Sequence, residues 1–304
     1  MAISAKDVKA LREVSGAGIM DCKKALQETD GDMDEALAYL QKKGEAAVEK
    51  KASRTAAEGL VETWLNEDQT EAVLVEVNCE TDFVSQNDQF QAFVKQISET
   101  VGVSKASSIE ELQDVTVVGT EKTVADYTAE QVSSIGENIK TRRFVRYNVD
   151  EGLIGGYVHA GGQIGVLVQL EAPAEADRDA LDELARDVAM HIAAMNPPYL
   201  RAEDIPAEDE AAHKEILVAQ AKETGKPDSI IEKIVTGKIN KWRAESVLLS
   251  QPFVKNSDQT VAEFVDTVDG AELVSFVRYE VGEGIEKKEE KSLSEEVAEQ
   301  LRGN

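Results

Sequence analysis

The chain has 304 residues, 42% of them hydrophobic, and a formal net charge of −26 at pH 7. This length exceeds one ordinary domain and accommodates two or three. The charge argues against nucleic acid and anionic membrane surfaces as partners, since neutralising phosphates takes a basic face. No apolar run approaches the roughly 18 residues of a membrane span. The opening MAISAKDVKALREVSG lacks the basic-then-apolar order of a signal peptide and is too acidic for a mitochondrial presequence. The expectation is a cytoplasmic protein whose partners are proteins or cations. Cys22 and Cys79 are the only cysteines, and His159, His191 and His213 the only histidines. Their spacing spells neither a disulfide framework nor a metal cluster, so no metal and no cofactor is expected.

Residues 1–50 read as three short helices. Val8, Leu11 and Val14 share the apolar face of the first, and SGAG (Ser15 to Gly18) ends it. Met20, Cys22, Ala25 and Leu26 suit the second. Asp32 with Glu35 spells a capping box for the third, whose apolar positions are Ala36, Leu37, Leu40 and Ala47. DGDMDE (Asp30 to Glu35) imitates a calcium loop. It fails at the sixth position, Glu35 instead of glycine, and at the twelfth, Gln41 instead of glutamate. A charged, small-residue stretch from Glu49 to Gly59 follows as a linker or helix extension.

An internal repeat comes next. GLVETWLNEDQTEAVLVEV from Gly59 aligns without gaps on GLIGGYVHAGGQIGVLVQL from Gly152, an offset of 93. Each copy reads as a β-hairpin. A helix follows each: Phe90, Phe93, Val94, Ile97 and Val101 in the first, Leu181, Leu184, Ala185, Val188 and Ile192 in the second, both with buried-face spacing. The helices are offset by 91, so the loop NCETDFVSQN (Asn78 to Asn87) is two residues longer than its counterpart. A third strand closes each copy, FVRYNVDEG from Phe144 and FVRYEVGEG from Phe276, now offset by 132. The second copy therefore holds about 39 extra residues, and Glu208 to Glu245 reads as the helical hairpin that supplies them. Its turn is TGKPD, Thr224 to Asp228, and Ile231, Ile234, Val235, Ile239 and Trp242 form an apolar stripe on its second arm.

Phosphate-binding loops, H-E-x-x-H and G-x-S-x-G are missing from the sequence. Cys79 reads as a small hydrophobe at a strand end; the catalytic alternative, a cysteine nucleophile served by His159 or His191, needs a thiol of depressed pKa. His191 and His213 read as packing and surface residues. For Asp82-Phe83 two readings stand. Phe83 either packs back on the helix that starts near Asn87 or Asp88, as a hydrophobic staple, or projects as a wedge for a partner's pocket.

The blocks LREVSGAGIMDCKKALQETDGDMDEAL (Leu11 to Leu37), VNCETDFVSQN (Val77 to Asn87), IGENI (Ile135 to Ile139), HAGGQIGVLV (His159 to Val168), QPFVKN (Gln251 to Asn256) and FVRYEVGEGIEK (Phe276 to Lys287) closely resemble the translation elongation factor Ts family, in order and almost end to end. The resemblance implies an α+β protein in four parts. A three-helix ubiquitin-associated-like domain and linker occupy 1–55. The core N-subdomain, ββ-α-β, occupies 56–151. The duplicated core C-subdomain occupies 152–285, with an antiparallel helical hairpin inserted at about 205–245. A C-terminal module with a short helix occupies 286–304.

The implied function is guanine nucleotide exchange on elongation factor Tu: a protein that is no enzyme itself and promotes GDP release from its partner. By match, the loop Thr81, Asp82, Phe83 and Val84 enters the partner's GTPase domain near its Mg²⁺. Ile135 and Gly136 lie beside that loop, and Arg12 and Met20 grip a helix of the same domain. His159, with the Gly161-Gly162 turn, reaches a second domain of the partner. The helix around Val297 adds a contact, and the helical hairpin offers a surface for a homodimer. The chain departs from the family pattern at Ser85-Gln86, where a small residue and a lysine are usual, and at Ile19, where methionine is common. A non-exchanging adaptor, with the Asp-Phe loop purely structural, is the competing expectation.

Overall fold

The computed structural model describes residues 3–286 and shows a mixed α+β architecture. Local capping sets the first helices. Ser4 and Asp7 satisfy each other's amides at the start of α1 (Ala5–Ser15), and Gly16, at φ +69°, closes it in the left-handed conformation. α2 (Ile19–Glu28) and α3 (Met33–Lys51) follow. Asp32 accepts from the Glu35 amide at 2.9 Å, but its own amide donates to the Thr29 carbonyl, so the expected box is half formed. Leu11, Cys22, Ala25, Leu26 and Ala36 make a small core. Val14 and Met20, expected in it, are exposed. Three short helices close around one layer, leaving Val14 on the flank of α1 and Met20 uncovered in the first turn of α2. α3 outruns this layer, and Ala47 and Val48 near its end pack on a second core.

β1 (Glu58–Leu65), β2 (Glu71–Cys79) and β3 (Lys140–Asn148) form an antiparallel sheet with β2 central. β4 (Gly152–His159), β5 (Ile164–Glu171) and the last strand, β8 (Glu272–Glu280), repeat it. One face of each sheet carries a long helix: α5 (Asp88–Val103) on the first, α8 (Arg178–Met195) on the second. The five apolar positions anticipated on each helix are buried there. The other two faces meet through Val61, Ala72, Leu74, Val149, Ile154 and Leu167. Each copy opens on glycine for a geometric reason. Gly59 and Gly152 sit at φ +143° and +129°, where a Cβ would overlap the carbonyl of Val77 or Leu170 on the paired strand.

The copies grip each other through one contact made twice. The Val61 amide donates to the Gly162 carbonyl and the Ile154 amide to the Gln69 carbonyl, both at 2.7 Å. Donors and acceptors are each 93 positions apart, so the duplicated sequence builds an internal two-fold interface.

The third strands begin four residues earlier than expected, at Lys140 and Glu272. The first hides its start in Lys140-Thr141-Arg142-Arg143. Its charge is accommodated by Glu76, fully buried on β2. Glu76 accepts from Arg142 Nη1 at 3.0 Å, Arg143 Nε at 2.5 Å, Asn78 Nδ2 at 3.0 Å and the Gly282 amide at 2.8 Å. The Arg143 guanidinium also lies 4.0 Å from the centre of the Tyr279 ring. Burial pushes the Glu76 carboxyl up, but the hydrogen bonds from Gly282, Asn78 and Arg143 and the Arg143 charge outweigh it and hold the group below its ordinary 4.5.

In the second copy, α9 (Ala207–Lys222) and α10 (Asp228–Ser246) form the antiparallel hairpin, with a core of its own in Leu217, Ala221, Ile231, Val235 and Ile239. Arg243 pairs with Glu210, and His213 stacks on Trp242. Among the elements that go beyond the sequence reading are α6 (Ile109–Gln113), α7 (Val124–Ile135), β6 (Pro252–Phe253), β7 (Asn256–Thr260) and α11 (Val261–Val265). β6 and β7 are tied to α8 by buried His191. Its Nδ1 accepts from the Val254 amide at 3.1 Å, which leaves Nε2 to donate to Gln251 Oε1 at 2.8 Å. Burial holds this imidazole below its ordinary pKa. The expected C-terminal module, including Val297, falls outside the described residues from 287 onward. Among the described residues, no helix is long and apolar enough to cross a membrane.

Two outcomes follow from this packing. Glu76→Ala leaves Arg142 without its counter-charge and Arg143 with only the more exposed Glu283, 3.3 Å away, and should cost about 3 kcal/mol in urea unfolding. Because the folded carboxyl titrates below the unfolded one, its contribution is present in full above pH 4.5 and lost as pH falls through the folded value. Stability should therefore fall more steeply below that pH in the parent than in Glu76→Gln. Replacing residues 207–246 by a short glycine-serine link should yield soluble protein with unchanged β-sheet circular dichroism, because the hairpin has its own core. Insoluble product would show that the sheets depend on it.

Candidate functional site

The site begins where β2 leaves its sheet. Cys79 ends the strand fully buried, its thiol directed to the Thr81 carbonyl at 3.2 Å. Burial and the nearby Glu137 charge push this thiol up to about 12, so it stays protonated near neutral pH. That is the opposite of what a cysteine nucleophile requires.

Beyond Cys79 the chain makes a short helical turn, α4 (Asp82–Ser85). Thr81 is its N-cap, with Oγ1 accepting from the Val84 amide at 3.4 Å, and Ser85 Oγ donates back to the Asp82 carbonyl at 2.8 Å. Asn87 then caps α5 through the Gln89 amide. Within α4, successive side chains point about 100° apart, so adjacent apolar residues take opposite fates. Val84 turns inward and packs on the first sheet's core. Phe83 is 83% exposed, the most exposed large apolar side chain among the described residues. The staple reading of Phe83 is therefore overturned, and Val84 makes the inward contact instead. Asp82 is exposed beside it.

Behind this turn lies the end of α7. Gly136, at φ +93°, closes the helix in the left-handed conformation, and the next two residues meet the loop. Glu137 accepts from the amides of Glu80 and Thr81 at 3.0 and 3.1 Å and from Thr81 Oγ1 at 2.7 Å. In return, Glu80 Oε1 accepts from the Asn138 amide at 2.6 Å. Asn138 Nδ2 donates to the Arg54 carbonyl at 2.8 Å, just past α3. Ile135 is half-buried against the same core. The Ile135-Gly136 turn and the Thr81–Val84 loop thus form one constellation. Glu80, Glu137, Asn138 and Arg54 belong to it too, although sequence reasoning did not single them out. The only sign of them was the family blocks, VNCETDFVSQN carrying Glu80 and IGENI carrying Glu137 and Asn138; Arg54 lies in the linker stretch.

The remaining residues lie elsewhere. Arg12 and Met20 are exposed on the three-helix unit, where Ile19 and Val14 are also exposed. Val14 borders a cleft between this unit and α7 that also contains Leu37, Leu40 and Ala129. His159 is exposed at the end of β4, its Nδ1 3.0 Å from Tyr157 Oη. The Gly161-Gly162 turn beside it packs over Leu60 and Val61 at the start of β1. Gly59 there is paired with Asn78 near the end of β2. The second hairpin's tip and the Asp82-Phe83 loop therefore share one end of the molecule. Among the described residues, no group of three or more His, Cys, Asp or Glu side chains is placed to hold a metal ion.

Fold and site together define a mixed α+β protein whose most exposed large apolar group, among the described residues, is an aromatic ring on a braced loop, a feature suited to docking on another protein. The model of the family described as elongation factor TS matches residues 80–283. The chain is 48% identical over 304 residues to elongation factor Ts of Alkalilimnicola ehrlichii, with all of both chains covered. It is 47% identical over 308 residues to that of Nitratiruptor sp., covering 99% of this chain and 100% of the relative. It is 46% identical over 301 residues to that of Clostridium perfringens, covering 97% and 98%. The chain belongs to the elongation factor Ts family.

The thiol chemistry gives a direct check. Iodoacetamide at pH 8 should modify neither Cys79 nor Cys22 in the native protein, since both are fully buried, and both after unfolding in urea. Native labelling of Cys79 faster than that of a free cysteine would reveal a reactive thiolate.

Proposed function

We propose that this protein is a guanine nucleotide exchange factor for elongation factor Tu, acting by insertion of the Asp82-Phe83 loop beside the partner's Mg²⁺ and bound GDP. The observation that carries the reading is Phe83, 83% exposed on a turn whose backbone is pinned from behind. Leaving an aromatic ring in water forfeits about 1.5–3 kcal/mol that burial would supply. A pocket on a partner recovers it, and a pre-ordered loop loses little entropy on docking. Membership of the family supports the choice of partner.

The mechanism follows from linkage. If this protein weakens GDP binding, GDP weakens this protein's binding by the same factor. Its contacts must therefore be gained where the nucleotide site is damaged. Phe83 fills an apolar pocket of the GTPase domain, and Asp82, an acceptor-only carboxylate, disturbs the groups that hold Mg²⁺. Loss of the ion uncovers charge on the phosphates and GDP leaves. The exchange factor needs neither a nucleotide site nor a cofactor of its own for this.

In this reading residues 1–55 form a ubiquitin-associated-like domain that presents Arg12 and Met20 to a helix of the GTPase domain. Residues 56–151 and 152–285 form the two core subdomains, the second presenting His159 to another domain of the partner. Residues 286–304 form the C-terminal module, and the hairpin serves self-association. Gln86 is exposed, so the positive charge usual in the family is missing from the docking face and attraction to an acidic partner surface is weaker.

Release of a fluorescent GDP analogue from a bacterial elongation factor Tu tests the proposal. The parent protein should accelerate release strongly. Phe83→Ala and Asp82→Ala should each reduce the acceleration about tenfold or more, with circular dichroism unchanged. Equal acceleration by parent and Phe83→Ala would remove the wedge and keep the function. No acceleration by the parent with a cognate partner would favour a non-exchanging adaptor.

A further inference from the structure

The geometry points to Glu137 as the positioning residue of the Asp82-Phe83 loop, an inference that rests on the exchange reading above. One carboxylate gathers three donors from two successive residues: the Glu80 and Thr81 amides on Oε2 and the Thr81 hydroxyl on Oε1. Bonds to an ionised acceptor are the strong kind. Thr81 is also the N-cap of α4, so fixing its amide and hydroxyl fixes the rotational phase of the turn. That phase decides whether Phe83 faces outward. A slip of one residue, about 100°, in the sense that turns Phe83 inward would put it in the place of Val84, Val84 in the place of buried Ser85, and Asp82 in the outward place of the ring.

Glu137 is itself held. It follows directly on the left-handed Gly136, so its place is set by the end of α7. The next residue, Asn138, is buried and bonds both the loop, through Glu80, and the end of α3, through Arg54. Arg54 Nη1 approaches Glu80 Oε1 at 3.4 Å and closes the ring. Further along α3 and α7, Lys51 Nζ donates to the Val132 carbonyl at 3.1 Å and Gln41 Nε2 to Asp126 at 2.8 Å. The ends of β2, α3 and α7 thus meet at one knot directly behind the exposed ring. All three donors to Glu137 come from the loop, so its carboxylate acts directly on the loop backbone.

GDP release from elongation factor Tu, measured against the concentration of this protein, separates the maximal release rate from the half-saturating concentration. Glu137→Ala should lower the maximal rate about tenfold, the scale of a small misplacement at a reacting centre. The half-saturating concentration should stay within about threefold, because the Arg12, Met20 and His159 surfaces are untouched. Glu137→Gln keeps an acceptor oxygen for the two amides and should recover most of the rate. In an Asp82→Ala/Phe83→Ala background, Glu137→Ala should add less than about twofold, since its effect passes through those side chains. Thr81→Val breaks the clamp from the other side and carries the test if Glu137→Ala does not fold. Full activity of Glu137→Ala and Thr81→Val, or a Glu137→Ala loss that multiplies in full with that of the loop variant, overturns the positioning role and leaves the exchange reading standing. Failure of the parent to release GDP overturns the exchange reading, and the positioning role with it.

Discussion

A single carboxylate, Glu76, fixes the place where the two sheets meet. A buried charge is costly unless it is paired and fully hydrogen-bonded. Glu76 satisfies this with donors from β2, from both arginines of β3 and from the turn after β8. Such a site specifies geometry more than it adds net stability, because an apolar substitute could fill the same space without the desolvation cost. What it specifies is register. The pairing of β2 with β3 shifts between Glu76 and Val77, and an irregularity of that kind re-aims the rest of a strand. The strand so aimed ends three residues later at Cys79 and delivers the loop.

Duplication supplies the scaffold, and departures from it supply the asymmetry. The irregularity recurs in the second sheet between Gln169 and Leu170, but there Gln169 takes the place of Glu76 and Ser275 that of Arg143. The two meet in a neutral hydrogen bond of 3.1 Å. The charged version reaches across to the other copy, through Gly282 and the Glu280 carbonyl, whereas the neutral bond stays within its own sheet. The loops diverge in the same way. Residues 172–177 pass directly from β5 to α8, while 80–87 hold two residues more, enough for the helical turn that carries Phe83.

Much of this was legible in the sequence because it is encoded locally. The repeat, its opening glycines, the faces of α5 and α8 and the two-residue difference in loop length all depend on short-range spacing. The hairpin was legible because Ile231, Val235 and Ile239 follow one helical stripe. The fate of Phe83 could not be decided that way. Phe83 and Val84 are adjacent and both apolar, and a clamp 56 positions away in sequence fixes the phase that turns Phe83 outward. Glu137 gives no periodic signal, since its work is done on backbone amides. The start of β3 was hidden for a related reason: Lys140, Arg142 and Arg143 give no apolar strand signal, and the partner of the two arginines, Glu76, lies on another strand. Met20 and Val14 show the converse error, apolar residues at helical spacing on a unit too small to cover both sides of its helices.

The internal two-fold gives the core two equivalent ends, and the sequence treats them differently. At one end the first hairpin's tip is closed down. Asn66 Oδ1 accepts from the Thr70 and Glu71 amides, Gln69 bonds Asp182 of α8, and Arg178 reaches the Asp68 carbonyl. At the other end the equivalent of Asn66 is His159, which stays exposed with Tyr157 as its neighbour. The helix beyond the lengthened loop begins at Asp88, leaving Asp82 and Phe83 of α4 exposed. A symmetric core offers two candidate faces to a partner, and sealing one of them leaves a single face with a defined orientation. The reciprocal Val61–Gly162 and Ile154–Gln69 bonds tie the two copies together. The Asp82-Phe83 loop and the His159 tip, contributed by different copies, thereby lie at one end of the molecule, and under the proposed function a single partner meets both.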